Sequence, residues 1–380
     1  MKIGIDARLW NESGVGKYTR NLVEQLQIID RKNEYMLFVL SQDRKKILNQ
    51  VQNDNFSIVN ADIRWHTLEE QMKFSSIINK EDLDLMHFTY PSVPIFYNKP
   101  FIVTIHDLIL HHFPTGEAST LALPLYYLKH FAYKLVILQA AKKAKRIIAV
   151  SKATKKEIID HLRVPEKKVV VIYEGVSNEI TNPKSQIPNK SQNPKYKILN
   201  TKYFLYVGNA YPHKNLERML MAFASIKYRV LSIKLVFVGR EDYFYKRLKE
   251  KVKNMGLGKS VNFLGEVSDD ELICLYRDAR ALVIPSLMEG FGLPALEAMA
   301  NKCLVLASDI PSLKEVCGNA AIYFDPYGID DISKKMIEVY SNDINHYSSN
   351  INKGFEKTKI FSWEKMTRET LKVYESCVGG

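Results

Sequence analysis

The stretch MEGFGLPALEAMA, Met288 to Ala300, sets Glu289 and Glu297 on either side of Gly290, Gly292 and Pro294. Pro294, with φ preset near −65°, suits the first turn of a helix beginning around Leu293. The run before it, ALVIPS (281–286), is apolar and β-branched and reads as a strand. Strand, glycine turn and helix in that order predict a βα unit with Glu297 one turn into its helix. The amides of Phe291, Gly292 and Leu293 then lie at the helix's positive end. A phosphate can come close there, because glycines leave the backbone uncovered. Carboxylates repel a diphosphate, but each accepts two hydrogen bonds well, as from the vicinal diol of a ribose or hexose. Amides for phosphate between carboxylates for sugars describe a nucleotide-sugar site. A plain strand–turn–helix with solvated glutamates fits the same spacing.

Working outward, the same alternation fills the chain. Strands are expected at 2–6, 35–40, 85–89, 101–107, 146–151 and 168–173, and again at 203–208, 233–239, 261–265, 281–286, 303–308 and 320–325. They are near-continuous β-branched and aromatic runs, the pattern of strands buried on both faces of a parallel sheet. Helical patterns such as NLERMLMAFASI and DDELICLYRDA separate them, so the fold class is α/β, doubly wound. Residues 177–200 carry three prolines among Asn, Ser and Lys with no helical or strand period, and read as a linker. Two Rossmann-like units of six strands each follow, and such sheets bind ligands at the carboxyl ends of their strands. Two of them in tandem suggest a cleft between domains.

Three further constellations fall at strand ends. YVGNAYPHKN follows a strand and puts Lys214 at the start of a helical pattern, where it reads as surface or as a point charge for phosphate. NESGVGKYTRNL places Gly14 and Gly16 between the first strand and an amphipathic helix. The third glycine of a dinucleotide fingerprint would fall at Thr19, which counts against NAD. VTIHDL ends a strand with His106 and Asp107, either structural or facing a ligand.

A chain of 380 residues with net charge +12 suits two domains and attraction to an anionic partner. Between Glu117 and Glu157 no acidic residue occurs, while Lys142, Lys143, Lys145 and Arg146 follow the apolar segments LPLYYL and FAYKLVIL. That pattern fits a helix lying on an anionic bilayer, or a solvated helix with one buried face. No nucleic-acid-binding signature is present. The four cysteines lack a C-x-x-C pair, and no apolar run approaches the roughly 18 residues that span a membrane. MKIGIDARLW opens as a strand and not as a signal peptide, so a cytoplasmic location is expected.

Assembled, these residues resemble the retaining glycosyltransferases of family four. The strongest mark is P-S-x-x-E-G-F-G-L-P-x-L-E-A-M-A, joined in order by GVGKY, HD, VSKATKKEI, YVGNAYPHKNL, FVGR, FLGEVSDDEL and FSW. The resemblance covers nearly the whole chain. It implies the GT-B fold, two Rossmann-like domains facing each other across a deep cleft. The domains would be residues 1–176, with 361–380 packing back on them, and 201–360. It implies that Glu297 holds the donor ribose, and that Glu289 faces the donor sugar beside the amides of Phe291 and Gly292. Lys214 would neutralise the diphosphate as the leaving group develops charge. Gly16 would let a loop approach the phosphate, His106 would contact the donor, and Val267 would lie beside the base. Many members have Gly-Arg where this chain has Gly208-Asn209, so His213, Arg240 or another cation must compensate, or Lys214 must carry more of the charge.

The activity implied is retaining transfer of a hexose to a saccharide or lipid-linked saccharide, with no obligatory metal and no cofactor beyond the sugar-nucleotide co-substrate. The opening GIDARLW-x-x-S-G-V-G-K-Y looks most like members using GDP-mannose, ahead of UDP-sugars. The alternatives are a sugar-nucleotide epimerase or hydrolase of the same fold and, more weakly, a non-catalytic binder of anionic surfaces. A peripheral position at the inner membrane face goes with the basic segment. Asp82 and Asp84 form an Asp-x-Asp that a helix–strand junction explains better than a metal.

Overall fold

The structure, a computed structural model, describes residues 1–113, 123–176, 202–227 and 232–378. It divides into two compact units, Met1–Gly175 with Ser362–Gly380, and Val176–Phe361. The segment 177–200, read above as a linker, lies outside the described residues.

The first unit holds a seven-stranded parallel sheet: β1 (Lys2–Asp6), β2 (Glu34–Val39), β3 (Phe56–Asn60), β4 (Leu85–Phe88), β5 (Phe101–Ile105), β6 (Arg146–Ala149) and β7 (Val169–Val171). Their spatial order is β3-β2-β1-β4-β5-β6-β7. The second holds six: β8 (Tyr203–Val207), β9 (Lys234–Val238), β10 (Val261–Gly265), β11 (Ala281–Ile284), β12 (Val305–Ser308) and β13 (Ile322–Phe324), in the order β10-β9-β8-β11-β12-β13. The first unit thus has one strand more than the sequence suggests. That strand, β3, is FSIVN at the sheet edge, where no residue is fully buried, so it lacks the continuous apolar run of its neighbours. Every residue of β4, β5 and β11 is buried.

Burial on both faces needs helices above and below. The Leu216–Lys227 helix turns Leu216, Met219, Leu220, Phe223 and Ile226 inward at three- and four-residue spacing, one apolar stripe laid on the second sheet. The Trp363–Val378 helix does the same for the first unit with Trp363, Met366, Thr370, Val373 and Tyr374. The Tyr374 hydroxyl meets His87 Nδ1 of β4 at 2.7 Å, and His87 Nε2 meets Thr104 Oγ1 at 2.8 Å. Burial pushes the His87 ring down to about 3, so this imidazole is neutral and fits one donor and one acceptor. Gly175 is required where the chain passes this helix, since a Cβ there would lie 2.2 Å from the Trp363 amide nitrogen.

In each sheet the order of strands reverses beside the first strand, between β1 and β4 and between β8 and β11. At such a switch point the loops leaving neighbouring strands diverge to opposite faces and leave a crevice at the carboxyl ends. The loops following β8 and β11 carry Lys214 and Glu289.

Candidate functional site

Beyond β8 the chain passes Gly208 and Asn209 and makes a short 3-10 turn, Pro212–Lys214. Asn215 ends that turn in the left-handed region at φ 61°, and the helix begins one residue later than the sequence suggests, at Leu216. An asparagine tolerates that conformation because its short amide bonds locally. Here Nδ2 donates to the carbonyls of Pro285 (2.9 Å) and Pro326 (2.7 Å). The Leu287 amide donates to His213 O at 2.8 Å. These bonds pin the β8 loop to the β11 loop.

The pinning brings two charges together. Lys214 Nζ donates to both oxygens of Glu289, at 2.7 and 2.9 Å, and Ser286 Oγ donates to Oε1 at 2.6 Å. The two charged side chains are 16% and 13% exposed, screened from bulk water but reachable. Burial pushes the Glu289 carboxyl up, but the charge and hydrogen bond of Lys214, with help from Ser286, outweigh it and leave the group below its ordinary range. Glu289 is therefore ionised, with a cation in contact.

Past Glu289 the chain turns through Gly292, at φ 99°, into the Leu293–Ala300 helix. An added Cβ at Gly292 would sit 2.7 Å from Leu313 Cδ2, so both the conformation and the space demand glycine. Pro294 stands in the first turn, and the Gly292 carbonyl accepts from the Ala295 amide at 2.9 Å. Phe291 is buried with its ring edge-on to Phe361, centroids 5.6 Å apart. Glu297, one turn into the helix, is buried and accepts the Tyr276 hydroxyl at 2.9 Å. That tyrosine's own pKa is pushed well above the usual range, first by burial and then by the neighbouring carboxylate. Val267 is half-buried beyond β10, the sheet's edge strand, just before the cap of the Asp269–Asp278 helix.

Asn209 is half-buried, with Oδ1 accepting from the Tyr211 amide at 3.4 Å. Of the cations considered as replacements for a Gly-Arg arginine, His213 does not qualify. Burial, then the charge of Lys214, pushes its ring down to about 3, so it is neutral near pH 7. Arg240 is exposed directly after β9, the neighbour of β8. The two turns touch, because a Cβ on Gly239 would lie 2.1 Å from Gly208 O.

In the first unit, His106 lies beyond β5 with Nδ1 3.1 Å from Glu174 Oε1 and Nε2 3.0 Å from the Thr89 carbonyl. The Tyr18 ring stands edge-on to it at 5.0 Å. Gly14 and Gly16 are not in a loop: both belong to the first turn of the Gly14–Ile29 helix. A Cβ at Gly16 would sit 2.5 Å from Trp10 O and 2.7 Å from Leu9 O, so this glycine lets the helix press on the backbone preceding it. The charges of the opening motif are buried. Arg8 Nη2 bonds Asp6 Oδ2 and Glu70 Oε1, each at 2.7 Å, and the guanidinium lies 3.6 Å above the Phe74 ring. Asp84 accepts from the Lys2 amide at the amino edge of the sheet, away from the strands' carboxyl ends.

The basic segment does not form one helix face. Lys142 and Lys143 end the Leu123–Lys143 helix, Lys145 follows it, and Arg146 begins β6. Lys143 Nζ bonds Ile95 O at 2.6 Å, and Arg146 Nη1 bonds Lys167 O at 2.7 Å. The exposed apolar residues of that helix, Leu125, Tyr127, Leu128, Phe131 and Leu135, lie toward its other end. Sequence reasoning missed Ser286, Asn215, Tyr276 and Glu174. Ser286 stood inside the quoted motif and Asn215 directly followed the lysine, while the other two announce themselves only through the fold.

Two family profiles match the chain. Glycosyltransferase Family 4 matches residues 13–179, and Glycosyl transferases group 1 matches residues 189–357. The chain is 31% identical over 263 residues to the O-antigen chain mannosyltransferase RfbU of Salmonella typhimurium, covering 69% of this chain and 66% of that protein. It is 33% identical over 236 residues to the O-antigen chain mannosyltransferase B of Escherichia coli, covering 61% of each. These matches span less than two thirds of either relative's own length. Among solved structures, sucrose-phosphate synthase from Thermosynechococcus elongatus superposes with a TM-score of 0.81 at 19% identity, over 99% of this chain and 98% of that one.

Proposed function

Because the chain belongs to the glycosyltransferases of group 1 and family 4, we propose that it transfers a hexose, mannose from GDP-mannose, to a saccharide acceptor in the synthesis of a surface polysaccharide. The observation that carries the site assignment is the pair Lys214–Glu289, held by Ser286 at the switch point of the second sheet. The likeness to two O-antigen chain mannosyltransferases supports the sugar.

In this reading the donor diphosphate approaches Lys214, the amides of Gly292 and Leu293, and Arg240, the charge that Asn209 lacks. Lys214 is the point charge that stabilises the departing diphosphate. Glu289, relieved of part of its bond to the lysine, accepts hydroxyl hydrogens of the donor sugar. Glu297 accepts the ribose diol while Tyr276 fixes its orientation. The leaving diphosphate takes the acceptor proton on the face it departs from, which retains configuration and uses no enzyme nucleophile or metal. The apolar face Leu125–Leu135, with Lys129 and Lys134, supports contact with a lipid-linked acceptor at a membrane surface.

Thermal shifts with GDP, UDP, ADP and NAD test the donor, on wild type and on Glu297→Ala. A nucleotide at about 100 times its Kd stabilises by roughly 2.7 kcal/mol. A GDP shift lost in the variant is expected. A larger shift with UDP would reassign the donor, and an NAD shift alone would overturn the reading.

A further inference from the structure

His112 ends the short helix Ile109–His112, while Glu157 and His161 stand one turn apart on the helix Lys152–Leu162. His161 Nε2 lies 3.2 Å from Glu157 Oε2, and His112 Nε2 bonds the same oxygen. One ligand atom from each residue, two imidazole nitrogens and a carboxylate oxygen, fall within 4.8 Å of one another. The two histidine rings stand edge to face at 4.8 Å. From this convergence we propose that His112, Glu157 and His161 bind one divalent transition-metal ion, of the class of zinc.

The geometry is close to what such an ion requires. Tetrahedral zinc with bonds of about 2.0–2.2 Å sets its ligand atoms roughly 3.3 Å apart. The pairs to the shared oxygen are already at or inside that spacing, so small side-chain rotations complete the site. Two imidazoles with one carboxylate suit zinc, nickel or copper, whereas magnesium and calcium prefer all-oxygen shells. The side chains are 35%, 29% and 40% exposed, which leaves an entry path and room for water as a fourth ligand.

The position gives the ion a structural consequence. Ile109–His112 starts three residues after His106, and Thr154 Oγ1, in the first turn of the Lys152–Leu162 helix, donates to the His106 carbonyl at 3.2 Å. An ion joining His112 to that helix cross-links the two segments that hold the His106 backbone. It takes both imidazoles through a ring nitrogen in the neutral form.

The test is metal binding by the full chain, with zinc in competition against a chromogenic chelator and with cobalt read through its visible bands. One ion per chain is expected. His112→Ala and His161→Ala should each weaken zinc at least tenfold and abolish the cobalt bands, and Glu157→Gln should weaken zinc severalfold. Zinc should slow amide exchange at 109–112 and 152–161 in wild type and not in the His112→Ala/His161→Ala variant, while magnesium leaves both unchanged. Zinc bound as tightly by that double variant as by wild type, or at well under one ion per chain in wild type, overturns the proposal. The residues are exposed, so a circular dichroism spectrum unchanged by the substitutions keeps the comparison fair.

Discussion

Each sheet carries an ion pair near its reversal of strand order, and the two pairs differ in one respect that matters. Asp6, Arg8 and Glu70 are sealed at 0–1% side-chain exposure, with Arg8 saturated by carboxylates, a carbonyl and an aromatic face. Lys214 and Glu289 keep a path to solvent and spend their hydrogen bonds mainly on each other. The first arrangement has nothing left to give a ligand. The second can be opened by one. The charges of GIDAR are thus spent on packing.

The largest effect should come from breaking the sealed pair. Arg8→Met leaves two carboxylates buried without a cation, a loss of about 3–5 kcal/mol of stability. Urea denaturation checks it, and transfer per folded molecule should stay within a few-fold of wild type. A stability loss below about 1 kcal/mol would show that the triad is not what holds that end of the sheet.

Breaking the open pair should invert that outcome. Glu289→Gln is expected to cut transfer about 10²–10³-fold, the scale of losing one transition-state contact. Nucleotide affinity by calorimetry should move little. Equal losses in both would relocate Glu289 from the sugar to the nucleotide.

The smallest and most diagnostic effect is a pH dependence. The Glu289 carboxyl lies below its ordinary value in the folded chain, so the pair's stabilisation is complete above the unfolded value of about 4.3. It fades as pH falls through the lower folded value. In Lys214→Met the burial that opposes ionisation is no longer offset, so that carboxyl should titrate above the ordinary range. The gap in Tm between wild type and variant should thus be widest near pH 7 and narrow steadily on acidification. A gap independent of pH would mean the lysine acts through packing alone.

The same contrast explains what the sequence made legible. The six strands of the second unit could be read directly from their apolar runs, as could the helix start at Leu293, because Gly292 and Pro294 have strong backbone preferences. Edge strand β3 could not, since one exposed side dilutes its pattern. The partnership of Arg8 with Glu70 spans 62 positions, and that of His106 with Glu174 spans 68, so no local spacing encodes either. Lys214 and Glu289 were each legible through a motif, but their mutual contact was not. Which side of the Leu123–Lys143 helix is exposed was left open for another reason: both of its sides are apolar, so periodicity could not tell solvent from core.

The return of the chain to its first unit has a consequence for the order in which that unit is made. Gly175 packs on the Trp363 backbone, and the Trp363–Val378 helix supplies Tyr374 to His87 at the centre of the first sheet. During synthesis, residues 1–175 emerge early but must wait for this helix, with the whole of Val176–Phe361 translated in between. The second unit is contiguous and can close on itself as it leaves the ribosome. The unit begun first is therefore the one finished last.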